Sequence, residues 1–94
     1  MPRVFETKEK SGRTVYLSSE RLHHILKHPE MVNQLEQIKD TLYQPDKITR
    51  VEYDPDVRFY YRYYKEKGQY LFVSVKYLNG EGFIITSFYT DKIL

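Results

Sequence analysis

All three histidines of the chain fall within six positions, in the stretch HHILKHPE at residues 23–30. An imidazole titrates near neutrality, which makes it the usual side chain for moving a proton in either direction. On a helix, residues four apart lie one above the other, so His24 and His28 would share a face beside Arg21. That face points away from an apolar stripe of Leu22, Ile25 and Leu26, while His23 falls at its border. Three readings fit such a pair. It can hold zinc, although the acid of an HExxH arrangement is missing, since Ile25, Leu26 and Lys27 fill the interval. It can be two solvated imidazoles at a helix end, where the dipole favours positive charge. Or it can take a proton from one oxygen and return one to another.

The third reading is the task that metal-free RNA cleavage sets. The ribose 2′-hydroxyl must lose a proton as it attacks phosphorus, the leaving 5′-oxygen must gain one, and the charged transition state needs cations and donors. Arg58 and Arg62 share one face of an alternating strand and suit bidentate phosphate contact. Hydroxyls on the last strand pattern, Thr86, Ser87, Tyr89 and Thr90, are donors. Lys76 is a further cation near a strand end, and Tyr60 lies on the arginine face. Glu30 is a candidate base, but a carboxylate just after Pro29 also suits a helix start.

These groups need a scaffold. RVFET and RTVYL flank KEKSG, which predicts a β-hairpin with Gly12 near the end of its turn. SSERLHHILKH reads as a helix capped by Ser18 or Ser19. Pro29 cannot lie inside a helix and is welcome at a first turn, so a second helix should run through PEMVNQLEQIKDTL, with Met31, Val32, Leu35, Ile38 and Leu42 inward. After Pro45 the period falls to two. KITRVEY, VRFYYRYY, YLFVSVKY and GFIITSFYT predict four strands, with turns at DPD, KEKGQ and LNGEG. VRFYYRYY places Val57, Phe59, Tyr61 and Tyr63 on one face and Arg58, Tyr60, Arg62 and Tyr64 on the other. The expected fold is therefore α+β, with an N-terminal β-hairpin and two helices packed on a four-stranded antiparallel sheet whose other face stays open.

The 94 residues suit one domain, spanning 1–94, with no repeat and no linker. There is no cysteine, which excludes a disulfide scaffold and a cysteine zinc site and fits the cytoplasm. No apolar run approaches the ~20 residues of a membrane span, and MPRVFETKEK lacks the apolar region of a secretory signal. Net charge is only +2. The excess of basic residues lies in the later part of the chain, where VRFYYRYY interleaves arginine with tyrosine. There are 10 tyrosines in all. Tyrosine beside arginine suits stacking on bases, and it is equally a good strand former.

The segments ERLHHILKHPEM, IKDTLYQPDKI, VRFYYRYY, YLFVSVKY and GFIITSFYTDKI, in that order over residues 14–94, resemble the PBECR proteins. These are phage and bacterial nuclease-like domains related to barnase, EndoU, the tRNA-cleaving colicins and RelE. The most specific element is His24–Glu30 followed by LYQPDKI. The resemblance implies metal-independent cleavage of RNA by transesterification, with no cofactor and no metal, often by a toxin or a mobile-element nuclease. Such a toxin implies an antitoxin or immunity protein as partner. Position by position it implies His24 and His28 as acid and base, Arg62 as phosphate clamp, and Thr86 and Tyr89 as orienting donors. Arg58, Tyr60 and Lys76 are RNA-contact candidates by their own places on the strands, not by the resemblance. The rival reading is a non-catalytic module of the same fold that binds RNA or a protein.

Overall fold

The computed structural model describes residues 2–94. The chain opens with the expected hairpin, β1 (Arg3–Lys8) and β2 (Thr14–Ser18). Gly12 sits in its turn at φ 92°, a conformation open to a residue without a Cβ. Helix α1 (Ser19–Ile25) follows, and the Ser18 hydroxyl accepts a hydrogen bond from the Arg21 amide at 3.1 Å. A 3-10 turn (Pro29–Met31) and helix α2 (Leu35–Tyr43) complete the helical part.

The second helix is thus shorter than its sequence pattern. Pro29 does start a helical turn, but Val32 is extended and Asn33 takes φ 62°, so the chain restarts at Leu35. Asparagine tolerates the left-handed region better than other residues with a Cβ. Met31 is buried before this break, and Ile38, Thr41 and Leu42 after it, whereas Val32 is exposed. The first helix also stops early, so His28 lies beyond it in extended backbone.

Four strands follow: β3 (Lys47–Val51), β4 (Asp54–Tyr64), β5 (Gln69–Leu78) and β6 (Glu81–Thr90). They form the expected antiparallel meander. Asn79 and Gly80 both have positive φ and make the tight primed turn that suits the twist of two strands. The β3–β4 turn falls at Glu52 and Tyr53, and Asp54, Pro55 and Asp56 belong to β4 instead of a turn.

The expected four-stranded antiparallel sheet is corrected to a six-stranded mixed one, in the order β1-β2-β6-β5-β4-β3. β2 joins β6 in parallel through only two pairs, Val15↔Gly82 and Tyr16↔Phe83. Gly82 is required at this seam, because a Cβ there would come within 2.8 Å of Val75 and 2.7 Å of Tyr77. Beyond Phe83, β6 parts from β2, and α1 and the 3-10 turn pack alongside it. The core lies between the helices and one sheet face, and includes Val15, Leu17, Tyr60, Leu71, Val73 and Ile84.

One buried polar knot ties the hairpin tip to the sheet. The Glu9 carboxylate, 2 % exposed, accepts from the Ser11 hydroxyl, the Ser11 amide (2.8 Å) and the Tyr60 hydroxyl (2.9 Å). Tyr60 and Tyr77 share a further hydroxyl hydrogen bond. Burial works to raise the Glu9 pKa, but these donors and the Arg13 amide outweigh it and hold the carboxyl below its ordinary value. Burial pushes the Tyr60 and Tyr77 phenols up.

The stability that Glu9 contributes is complete above the unfolded carboxylate range, near pH 4.3, and is lost as pH falls through its lower folded value. The tyrosines contribute below their unfolded value, near pH 10, and lose that contribution as pH rises towards their folded values. Thermal unfolding followed by circular dichroism should therefore show a plateau between about pH 5 and 9, with a fall on each side. Tyr60→Phe should cost about 1.5–3 kcal/mol, the range for a hydrogen bond to a charged group, and move the acid limb to higher pH.

Candidate nucleic-acid interface

The two faces of the sheet are set by the alternation of β4, β5 and β6. Tyr60, Leu71 and Val73 face the helices. Val57, Phe59, Tyr61, Phe72 and Ser74 therefore line the opposite face. A bulge at Ile85 changes the phase of β6: Val75 pairs with Ile84, but Ser74 pairs with Thr86. The extra residue turns Ser87 and Tyr89 inward and puts Thr86 and Phe88 on the second face. Bulges re-aim side chains in this way and are common beside active sites.

His28 reaches that second face. Its ring lies 5.6 Å from the Phe88 ring, and Phe88 stacks on Phe72 at 4.8 Å. Thr86 is two residues back along the same strand face, roughly 7 Å away, opposite Ser74. Lys76 follows Ser74 on that face, and its ammonium meets the Asp54 carboxylate at 3.0 Å. This pair and the Asp56 amide hold the Asp54 carboxyl below its ordinary value. Val57, Tyr61, Phe72 and Ser74 are buried on the second face, and the last residues fold back over one end of it. The Leu94 amide donates to the Tyr61 hydroxyl at 3.0 Å, and Tyr61 is wholly buried.

The remaining expected site residues lie elsewhere. Arg62 is on the helix side, where its guanidinium donates to the Gln44 carbonyl at 2.7 Å and closes the C-terminus of α2. Tyr89 is on the same side, donating to the Gln34 side chain and packing against Tyr64. Burial pushes the Tyr89 phenol up to about 12, so it remains a neutral donor at pH 7. Tyr60 is fully buried on Glu9 and presents no surface to RNA. Arg58 shares the Tyr60 face but lies in a cleft by the hairpin tip. His24 is exposed on α1, and the chain bend removes the helical stacking expected between it and His28.

One pocket shared by His24, His28, Arg62 and Thr86 is therefore not formed. The period of β4 correctly paired Arg58 with Tyr60 and Arg62, but not which face the helices cover. Tyr60 and Tyr64 are the apolar surface that α2 needs, and their arginine neighbours go with them. Sequence reasoning also missed Glu9, whose only signal was a carboxylate at the tip of a serine- and glycine-containing turn. Among the described residues, no three His, Cys, Asp or Glu side chains converge as a metal site. Among the described residues no helix is long and apolar enough to cross a membrane.

A family model described as phage-Barnase-EndoU-ColicinE5/D-RelE like nuclease2 matches residues 2–93. The chain belongs to this family. The match covers both helices and all six strands. No curated protein and no solved structure matches the chain. A nuclease of this family acts on nucleic acid, and the second face carries an exposed imidazole, His28, with Thr86 and Lys76 half-buried.

The placement of Arg62 makes a prediction. Arg62→Ala should lower stability by about 1 kcal/mol, some 4–8 °C in melting temperature for a domain of this size. It should leave nucleic-acid affinity unchanged. Calorimetry and a fluorescence-anisotropy titration measure the two effects.

Proposed function

We propose that the chain is a metal-independent endoribonuclease that cleaves RNA by transesterification to a 2′,3′-cyclic phosphate. The observation that carries this reading is His28 held against Phe88 on the sheet face that also bears Thr86. His28 exchanges a proton with the 2′-hydroxyl or the 5′-oxygen; His24, exposed on α1 and not stacked on His28, serves the other oxygen only if the bound RNA brings that oxygen to α1. The Thr86 hydroxyl donates to a phosphoryl oxygen. Lys76, on the neighbouring strand, supplies positive charge by exchanging Asp54 for phosphate. Arg62 and Tyr89 act through the fold, by fixing α2 and the segment before it. A toxin role, with an antitoxin or immunity protein over the His28–Thr86 face, and action in the cytoplasm complete the reading.

The test is incubation of purified protein with total RNA in EDTA. Fragments ending in 2′,3′-cyclic phosphate are expected, and His28→Ala should slow their release by about 10²–10⁴-fold, the worth of a positioned acid or base. Intact RNA at high protein concentration sinks the proposal.

One observation favours the rival module. The arginine expected to clamp a phosphate, Arg62, is on the helix side and is spent on the Gln44 carbonyl. A binding module would retain RNA affinity in the His24→Ala, His28→Ala double variant and would cleave nothing before or after the change.

A further inference from the structure

A strongly charged cleft lies away from the histidines. It lies between the tip of the β1–β2 hairpin and the β3–β4 ribbon, encloses about 430 Å³, and is lined by Glu9, Lys10, Arg13, Ile48, Arg50 and Arg58, among others. Four cationic side chains thus face one carboxylate. Both Glu9 oxygens are already engaged, one by Ser11 and Arg13 and the other by Tyr60.

Two of the arginines stand in an unfavourable place. Arg50 and Arg58 are direct cross-strand partners on one face, where like charges repel. Among the described residues, neither forms an ion pair with a carboxylate. The other arginine contacts are ones that fix orientation. Arg58 donates one Nη to the carbonyls of Pro55 (2.6 Å) and Val57 (3.0 Å), so its other N–H groups are held in a set direction. The Arg13 guanidinium lies over the Tyr77 ring, 3.7 Å from its centroid, and the knot beneath fixes that ring. Two oriented guanidiniums, a third across the ribbon and a lysine make a site that gains stability when an anion enters. Planar guanidiniums match phosphate oxygens in pairs.

We propose that this cleft binds backbone phosphates of an RNA strand, as a holding site separate from the His28–Thr86 face. The inference rests on the ribonuclease reading for its choice of RNA. Arg50 and Arg58 grip phosphate, Arg13 closes the cleft from the hairpin side, and Ile48 gives an apolar contact for a sugar or base.

The probe is a fluorescent single-stranded RNA with 2′-O-methyl riboses, which cannot be cut by transesterification. It is titrated with the full chain and with Arg50→Gln and Arg58→Gln at several salt concentrations. Each substitution should weaken binding and reduce the slope of log K against log salt by about 0.7, the value for one phosphate contact on a single strand. Arg50→Gln should not lower the melting temperature, since it removes a repulsion, whereas Arg58→Gln also loses the bonds to the Pro55 and Val57 carbonyls and is read on affinity and salt slope alone. Unchanged affinity and slope in folded variants overturn the proposal, as does a chain that binds no RNA. So does an arginine-dependent gain in melting temperature with inorganic phosphate but no arginine-dependent RNA binding. Arginine-dependent binding by a wild-type chain that cleaves no RNA supports the holding site and removes only the catalytic reading.

Discussion

A carboxylate shut away from water governs much of this fold. Glu9 sits at the hairpin tip and gathers donors from its own turn and from Tyr60 of β4. Removing any donor would leave a buried charge short of a partner, which is a large penalty. The same carboxylate therefore pins the far end of the hairpin across the sheet. Just past the same turn, β2 is attached to β6 by two residue pairs and no more, and at the open end Arg3 pairs with Glu81 at 2.8 Å. With these contacts the hairpin becomes part of one sheet instead of a flap, and the cleft beside its tip keeps its shape.

The second determinant is the place where β2 and β6 part. Continued pairing would have covered the outer half of β6. Its separation leaves room for α1, and the bend at His28–Pro29 carries an imidazole around the strand to Phe88. The bulge at Ile85 then sets which hydroxyls meet it. Strict alternation from Gly82 would have sent Thr86 inward with Ile84, and the one-residue slip exchanges it for Ser87, whose hydroxyl is satisfied by the Phe72 carbonyl at 2.7 Å. A proton carrier and a hydroxyl share a face because of two local irregularities.

Local chemistry was legible in the residues themselves. Asn79–Gly80, Gly12, the Ser18 cap and the alternation of VRFYYRYY each act within a few positions, and each is found where its chemistry suggests. The irregularities were hidden because nothing nearby encodes them. The parallel β2–β6 contact joins distant segments. The bulge at Ile85 sits in a run, GFIITSFYT, with no breaker to mark it. Val32 continues a helical apolar pattern, yet Asn33 ends it by entering the left-handed region. The alternation of β4 is symmetric, so it showed two faces and not which one is covered. That symmetry is why Arg62 was expected at the site and is found supporting α2, whereas Tyr89 of β6 is turned inward by the bulge.

The seam between β2 and β6 also orders the assembly of the chain. Its partners, Val15 and Gly82, are roughly 65 residues apart, and closing so long a loop costs about 4 kcal/mol of chain entropy before any contact repays it. The meander of β3 to β6 closes through short turns and carries no such debt. The first hairpin must therefore dock late, onto a preformed surface, as local elements precede distant ones. A chain whose hairpin is undocked would leave the edge of β6 at Gly82 and Phe83 without its partner, a strand edge open to association with other chains.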